Sequence, residues 1–430
     1  MKKIVLSLAG VLAATAFAPE AAAIPAYARQ VGMACAACHQ QHFPILNSFG
    51  RAFKAGGYTM MGAQGKVEGD HLSIPDTLNL SMIIKLRYLK DNTTNAAGVA
   101  AVNQNARAAT MADGMWEFFD EFALLGGGRI AENVGFFFEG QMLQTGPLVG
   151  IIRMPFVWDM GGAKLSVIPF MADGGSAMVG CELSSGGVLR ANRWAEDRSN
   201  TSAVQYVRNK NAEEATGIAF VAQNDMGFIN VTPFTVGSNY KDAGGGGNLK
   251  STYIRVAATP TVADWAMVVG AGKVSGQSWS STNATSYKTD KTFFDFQAHG
   301  EVGGKEIGIY AQHAKAPNTS GAGNAYNNNA ACVAGACNPD KKATTIGVDY
   351  SVIPHSLHIG AAYMDADTGA AATANGLKAT TLTAVYDLYQ NVALHAWYNR
   401  FSGSSIDAGN LTTPGSKATN AYSLMLEMAW

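Results

Sequence analysis

The pentapeptide Cys35-Ala36-Ala37-Cys38-His39 is the part of the sequence whose residue types and spacing best suit chemistry. Two thiols three positions apart can add across the two vinyl groups of one porphyrin, and the adjacent histidine can then supply an imidazole nitrogen to the iron. We therefore predict one haem c, attached through Cys35 and Cys38, with His39 as the proximal axial ligand of the iron.

Two other interpretations of the cysteine pair compete with haem attachment. A thiol–disulfide redox motif needs a strand–helix context, and none surrounds residues 35–38. A zinc site needs a second ligand pair at suitable spacing, and none follows. The export signal described below favours haem, because it delivers the chain to a compartment where such haem is attached.

The sequence leaves the distal ligand of the iron open. Met60 is our first candidate, because the chain can fold back over a haem after the helix predicted below, and a thioether ligand would raise the reduction potential. The alternatives are Met61, His42, His71 and Met33. Ordinary apolar packing also explains a Met-Met pair.

The remaining cysteines suit structural roles. Cys332 and Cys337 lie in a segment rich in asparagine, and in an oxidising compartment we expect them to form a local disulfide. A metal site is the other interpretation of this pair. Cys181 stands alone, and we assign it no role.

An export signal opens the chain. Lys2 and Lys3 precede an apolar run, and Ala21-Ala22-Ala23 suits cleavage, so we expect residues 1–23 to be a removed signal peptide. The alternative is an N-terminal membrane anchor, for which the apolar run is short.

Charged residues make up 15% of the chain, the net charge is −1 and there are 48 glycines. This balance gives no argument for nucleic-acid binding.

Residues 24–75 differ in pattern from residues 76–430. Pro44 could begin a short helix with Leu46, Phe49 and Phe53 on one face, which Gly56-Gly57 would end. Such a helix needs a large apolar partner, and a haem buried against Phe43, Phe49 and Phe53 would serve. We predict a small α-helical cytochrome c segment at 24–75, followed by a barrel domain at 76–430.

From Leu78 onward the apolar period becomes two. Alternation is clearest at 78–88, 381–388 and 421–430, and further strands are predicted at 116–124, 134–142 and 163–170. We expect short turns at 131–133, 303–305, 353–355 and 389–391. Long polar connections are expected at 91–112, 237–250, 275–290, 316–343, 365–378 and 402–419. Alternating short and long connections are typical of outer-membrane barrels.

The predicted fold is therefore an all-β transmembrane barrel of about 16 antiparallel strands, located in the cell outer membrane and in contact with its lipid. The alternative fold is a secreted β-sandwich or propeller. A sandwich has no reason to place a long loop at every second connection. The chain ends on an alternating strand and a terminal aromatic, Trp430. That ending resembles the assembly signal of outer-membrane proteins.

The N-terminal region resembles the fused cytochrome–porins, which include outer-membrane iron oxidases of iron-oxidising bacteria. The resemblance is carried by A-I-P-A-Y-A-R at 23–29, C-A-A-C-H at 35–39, F-P-I-L-N-S-F-G-R-A-F-K at 43–54, and Gly57-Tyr58. It covers residues 23 to about 62. The resemblance implies a single haem in or near the periplasmic end of the barrel, and electron transfer across the outer membrane from extracellular Fe(II).

Two functional hypotheses follow. In the first, an extracellular reductant, with Fe(II) the first choice, passes electrons through the haem to a periplasmic carrier of the cytochrome c type. In the second, the protein is a diffusion porin whose haem-bearing N-terminal segment plugs or gates the pore. Transfer in the outward direction is a third possibility.

Overall fold

The computed structural model shows a closed antiparallel barrel with a segment of chain folded inside it. The structure describes residues 25–40, 45–92, 114–142, 149–171, 195–207, 215–236, 248–280, 285–319, 323–327, 339–370, 372–407 and 418–430. Cys181, Cys332, Cys337 and His42 therefore lie outside the described residues, as does the region of the predicted signal peptide.

Sixteen strands can be followed in the described part of the chain, which confirms the predicted number. They are β1 Leu80–Asp91, β2 Met115–Ala131, β3 Val134–Gln141, β4 Val149–Arg153 with Phe156–Asp159, β5 Lys164–Met171, β6 Ala215–Asn224, β7 Gly227–Val236, β8 Ser251–Ala258 with Thr261–Val262, β9 Trp265–Ser280, β10 Thr285–Lys288 with Lys291–Val302, β11 Lys305–Ala316, β12 Lys341–Ile353, β13 Leu357–Thr368, β14 Gly376–Tyr389, β15 Val392–Ser402 and β16 Asn420–Ala429.

Each strand pairs with its neighbour in sequence, and β16 pairs with β1 to close the barrel, with Leu426 opposite Leu86. Full closure leaves no strand edge unpaired. Pro155 interrupts β4, because proline has no N–H to donate to the ladder. Positive φ at Gly303 and Gly304 makes the tight β10–β11 turn possible.

Strand orientation follows the predicted alternation. On β16 the side chains of Tyr422 and Leu424 point outward and are exposed, whereas Met425 and Glu427 point into the bore and are buried. On β14 Leu382 points outward and Thr381 inward. Apolar residues at every second position therefore form the outer surface of the barrel, as a lipid-facing wall requires.

All four predicted short turns are confirmed, and every turn of this kind lies at one end of the barrel, which we call the short-turn end. One predicted long connection is wrong. Residues 275–290 were expected to form a loop, but β9 continues to Ser280 and β10 begins at Thr285. The polar composition of this segment, which is rich in serine and threonine, hid the strands.

The first described residues form a plug, which we define as residues 25–75. It contains helix α1 (Pro25–Val31), a 3₁₀ turn (Cys35–Ala37), helix α2 (Ser48–Ala55) and a hairpin of two strands, Lys66–Gly69 and Leu72–Pro75. The sequence placed the helix start at Pro44. In the structure α2 begins at Ser48, because the Asn47 side chain accepts a hydrogen bond from the Gly50 N–H and caps the helix.

The plug crosses the bore near the short-turn end. On one side Tyr27 and Phe53 pack with Phe137 of β3, and on the other side Ile45 packs with Tyr310 of β11. These wall residues point inward and are buried. The plug therefore bridges opposite walls.

A second segment, residues 195–207, also lies inside the bore, and no sequence pattern predicted it. It contains two short helices, α3 (Arg198–Thr201) and α4 (Ala203–Tyr206). The Ser202 hydroxyl donates to Gln312 of β11 at 2.6 Å, and the Ala203 N–H donates to Thr345 of β12 at 3.1 Å. We call this the inward segment.

Because two segments fill the bore, the inward-facing side chains of the wall are buried around much of its circumference. The buried polar members include Asn230, Gln297, Gln312, Thr345, Asp349, Ser351, His358, Thr381, His395, Asn399 and Ser423. None of the described helices is long and apolar enough to cross a membrane.

Candidate haem-attachment site

The residues of the C-x-x-C-H motif lie on one tight turn. The N–H groups of Cys38 and His39 both donate to the carbonyl of Cys35, at 2.9 and 2.8 Å. Cys35 is buried and Cys38 is half-buried. This turn, which we call the attachment turn after its predicted role, brings together Cys35, Cys38 and His39, the three residues that the sequence predicted to act together.

Asn47 holds this turn in place. Its side-chain amide donates to the carbonyls of Ala36 and Ala37 at 3.2 and 3.1 Å, and its backbone N–H donates to the carbonyl of Cys38 at 3.0 Å. The same side chain caps α2 through its oxygen. One residue therefore couples the start of α2 to the attachment turn.

Gly50 completes the contact between the turn and α2. A Cβ built at Gly50 would overlap the carbonyl oxygen of Cys38, so no larger residue fits without moving the backbone. The sequence contained both Asn47 and Gly50 within the family resemblance, but their roles could not be predicted. Both depend on a contact between the turn and the helix that spacing alone does not reveal.

His39 is oriented by the main chain. The residue is 9% exposed, and Nδ1 of its ring lies 3.1 Å from the carbonyl oxygen of Ile45. Since a carbonyl only accepts hydrogen bonds, Nδ1 carries the proton and the lone pair lies on Nε2. Histidines that ligate metals usually donate their other N–H to such an acceptor, which fixes ring orientation and tautomer. The residues present therefore fit a haem iron on Nε2.

The environment of Cys38 disfavours a thiol-redox role. Burial raises the pKa of the Cys38 thiol to about 11, whereas redox-active cysteines have a lowered pKa that supplies the thiolate. A zinc centre gains no support either. Within the described ranges, no group of three or more His, Cys, Asp or Glu residues is arranged to hold a metal ion.

The distal ligand stays a prediction. Met60 lies on a stretch that packs against α1, where its carbonyl accepts from Gln30 Nε2 at 2.7 Å, and its side chain is 44% exposed. Met61 is half-buried, Met33 is exposed, and His71 is exposed in the turn of the plug hairpin. Of the predicted candidates, only His42 is outside the described residues.

The apolar face of α2 has a different partner from the one expected. The sequence suggested that Phe43, Phe49 and Phe53 would bury a haem. Phe53 instead packs edge-on against Tyr27 at 5.2 Å between ring centroids, within the cluster that joins the plug to the wall. Phe49 is half-buried beside the turn, and Phe43 lies outside the described residues. The barrel wall thus supplies the partner that α2 needs.

No family profile matches the chain, and no curated protein matches it. Among solved structures, OmpT of Vibrio cholerae has a TM-score of 0.43 at 13% identity, covering 85% of this chain and 100% of OmpT. The outer membrane channel DcaP of Acinetobacter baumannii has a TM-score of 0.46 at 10% identity, covering 82% and 97%. A structure described as a porin has a TM-score of 0.44 at 11% identity, covering 82% and 100%. Superpositions this loose carry no argument about function.

Proposed function

We propose that this protein is an outer-membrane electron conduit, a barrel closed by a plug that carries one haem c. The observation that carries the proposal is the attachment turn inside the bore, with the proton of His39 held on Nδ1 by the Ile45 carbonyl. Cys35 and Cys38 would hold the porphyrin through thioether bonds, and His39 Nε2 would bind its iron. The haem would supply one-electron transfer.

The membrane location rests on the outer surface of the barrel. Leu382 and Ile346 are 50% and 57% exposed, and they belong to a band of outward apolar residues on neighbouring strands. A soluble protein rarely exposes so continuous an apolar surface. Outer-membrane lipid is therefore the partner that we propose for this surface.

The donor and the acceptor rest on the family resemblance. We propose that an extracellular reductant, with Fe(II) as the first choice, supplies the electrons, and that a periplasmic cytochrome c-type carrier receives them. The protein would then be an iron-oxidising cytochrome. The plug, the inward segment and the luminal side chains would block the passage of solutes, and only electrons would cross.

A diffusion porin with a haem-bearing plug or gate is the second candidate. It is favoured by the strand number, since barrels of about 16 strands commonly enclose an aqueous channel. The burial of the inward-facing side chains argues for a closed bore in the conformation described here. In the first candidate electrons cross the membrane, and in the second candidate solutes cross it.

Vesicles separate the two functions. Purified protein is placed in vesicles loaded with ferricyanide, chelated Fe(II) is added outside, and the loss of ferricyanide absorbance is followed beside single-channel conductance. The conduit predicts ferricyanide loss with little conductance. Steady conductance of small ions, with no reduction of haem by Fe(II), would establish the porin instead. Protein without its haem is the control for leakage of either reagent.

Our proposal for the distal ligand has its own test. Met60→Ala should change the haem spectrum and lower the midpoint potential, because loss of a thioether ligand removes its stabilisation of reduced iron. Met61→Ala, the matched control, should change both less. A spectrum unchanged by Met60→Ala removes Met60 as the ligand.

A further inference from the structure

Carboxylates are distributed unevenly around the short-turn end. The structure describes seven tight turns there, and the first five in chain order each carry an exposed carboxylate. These are Glu132, Asp159, Asp225, Asp264 and Glu301. The remaining two turns contain His355 and Gln390-Asn391 in place of an acid. We call the five turns the acidic arc.

The two lysines that flank turns of the arc are less accessible than its acids. Lys164 and Lys305 are half-buried, and the Lys305 ammonium donates to the carbonyl of Val352 at 2.8 Å. Five of the seven described turns therefore present a carboxylate that is more exposed than the neighbouring lysines. A surface of one sign steers and orients a partner of the opposite sign.

A cleft of about 200 Å³ opens within the acidic arc. Its lining includes Ala52 and Ala55 of α2, together with Asp159, Lys164 and Asp225 from two neighbouring turns. The lining therefore carries two carboxylates and one ammonium group. Since one water occupies about 30 Å³ in the liquid, the cleft has room for the end of one long side chain but not for a helix.

Gln223 gives the cleft an acceptor without a partner. The residue lines the cleft and is 5% exposed, and its Nε2 donates to the carbonyl of Ala55 at 3.0 Å. Because that carbonyl can only accept, the amide nitrogen is fixed and Oε1 faces away from it. Oε1 is buried and has no hydrogen-bond partner among the residues that the structure describes. A buried acceptor left unpaired is costly, which points to a donor supplied from outside the chain.

We propose that the acidic arc and this cleft dock a soluble electron carrier with a basic surface, which inserts a lysine or arginine side chain beside Gln223. This inference rests on the proposed function and names the surface used by the carrier. Helix α2 links the two sites, because Ala52 and Ala55 line the cleft while Gly50 contacts the Cys38 carbonyl. A carrier docked on the arc therefore contacts the same helix that packs on the attachment turn.

Direct binding tests the docking surface. The barrel in lipid nanodiscs is immobilised, and the probe is a basic, soluble monohaem cytochrome c. The control probe is the same cytochrome with its lysines succinylated, which reverses its charge. The unmodified probe should bind, more weakly as salt rises, and the succinylated probe should not. Equal binding of the two probes would overturn the proposal.

Variants then locate the surface. Asp159→Asn combined with Asp225→Asn should weaken binding of the basic probe about tenfold, a size that fits two desolvated rim charges. Asp365→Asn removes an exposed carboxylate on β13 and serves as the matched control. Ala52→Leu should weaken binding by filling the cleft without changing charge, and Ala52→Ser should not. If neither the double variant nor Ala52→Leu weakens binding, the surface is wrong.

Two outcomes separate this inference from the proposed function. Binding is read by mass and does not depend on electron transfer. If Fe(II) fails to reduce the haem while the basic probe still binds at the cleft, the conduit fails and the docking surface stands. If Ca²⁺ alone binds at the cleft in the absence of any protein probe and is lost in the double variant, the cleft is a cation site and the docking proposal falls.

Discussion

The wall formed by β1–β4 and the wall formed by β10–β15 each cover a segment inside the bore, but with different side chains. The first wall presents Ile83, Ala123, Leu125, Phe137 and Ile151 to the plug. Burial of each large apolar side chain contributes about 1.5–3 kcal/mol. Apolar packing therefore supplies much of what holds the plug on this side.

The second wall holds the inward segment through polar groups. Gln312 accepts from both Ser202 and the Val204 N–H, and the Lys291 ammonium donates to the Val204 carbonyl at 2.7 Å. The Asn399 side chain donates to Asp197. Each such bond contributes little net stability, but a buried partner left unpaired costs about 1–3 kcal/mol.

A buried charge cluster joins the two regions. Lys85 of β1 lies 2.9 Å from Glu121 of β2 and 3.3 Å from Glu427 of β16, and its ammonium also lies 3.8 Å from Glu196 of the inward segment. The wall that packs the plug thus also anchors the inward segment. The comparison teaches that apolar contacts secure the plug on this side, whereas buried hydrogen bonds act together with the apolar packing of Ala203, Val204 and Val207 to position the inward segment.

The largest expected effect belongs to the attachment turn. Cys35→Ala or Cys38→Ala should abolish the covalent haem stain, because thioether attachment requires the thiols. The barrel should still assemble, since its ladder does not involve these residues. Ser199→Ala in the inward segment is the matched control and should keep full staining. Denaturing gels with a haem stain and a heat-shift assay of barrel folding measure both properties; undiminished staining in both cysteine variants would refute haem attachment.

The apolar wall should show the next largest effect. Phe137→Ala removes a buried ring from the plug cluster and should destabilise the plug by about 3–5 kcal/mol. A loosened plug should admit ions, so single-channel conductance should rise. Phe136 is on the opposite face of β3, and Phe136→Ala should leave conductance unchanged. Equal conductance in the two variants would mean that the ring of Phe137 does not retain the plug.

The sequence predicted the polar wall better than the apolar one. Inward Thr381 and Asp387 follow from strict alternation, and both are buried where expected. On β3, Phe136, Phe137 and Phe138 are consecutive aromatics, so alternation does not predict which ring points inward. In the structure Phe136 and Phe138 stack on one face and Phe137 meets the plug. A strand that is apolar on both faces could have indicated that a segment of the chain packs inside the bore.

Contacts distant in sequence account for what could not be predicted. Ser202 and Gln312 are 110 positions apart, and Ala203 and Thr345 are 142 apart. No local pattern marks such pairs. In the candidate site, the identities of Cys35, Cys38 and His39 follow from spacing. The hydrogen bonds from Asn47 to the turn could not be predicted, because they depend on how α2 contacts the turn. The Ile45 carbonyl, which orients His39, is invisible in sequence because it belongs to the main chain.

A smaller effect is expected at Asn47. Asn47→Ala removes the helix cap and two side-chain bonds to the attachment turn, and should cost about 1–2 kcal/mol of stability. Asn47→Asp keeps the capping oxygen but loses the amide donor, so it isolates the contribution of the turn. We expect both variants to broaden the spectrum of the ligated haem iron. Asn47→Ala should lower the melting temperature of the plug more than Asn47→Asp, because Asn47→Asp keeps the cap. A native haem spectrum in Asn47→Asp would show that the amide bonds do not orient the turn.

The smallest effect should come from the Ser202 hydroxyl of the inward segment. Ser202→Ala removes the donor to Gln312, whose oxygen also accepts from the Val204 N–H and therefore keeps one partner. It also removes the oxygen that accepts from the Gln205 N–H at the start of α4. We expect a loss of about 1 kcal/mol, faster hydrogen exchange in residues 195–207, and no change in the haem stain. Gln312→Leu removes the shared acceptor and leaves two buried donors unpaired, so it should exceed Ser202→Ala in both stability loss and exchange rate. Equal exchange in the two variants would mean that packing, and not the shared acceptor, positions the inward segment.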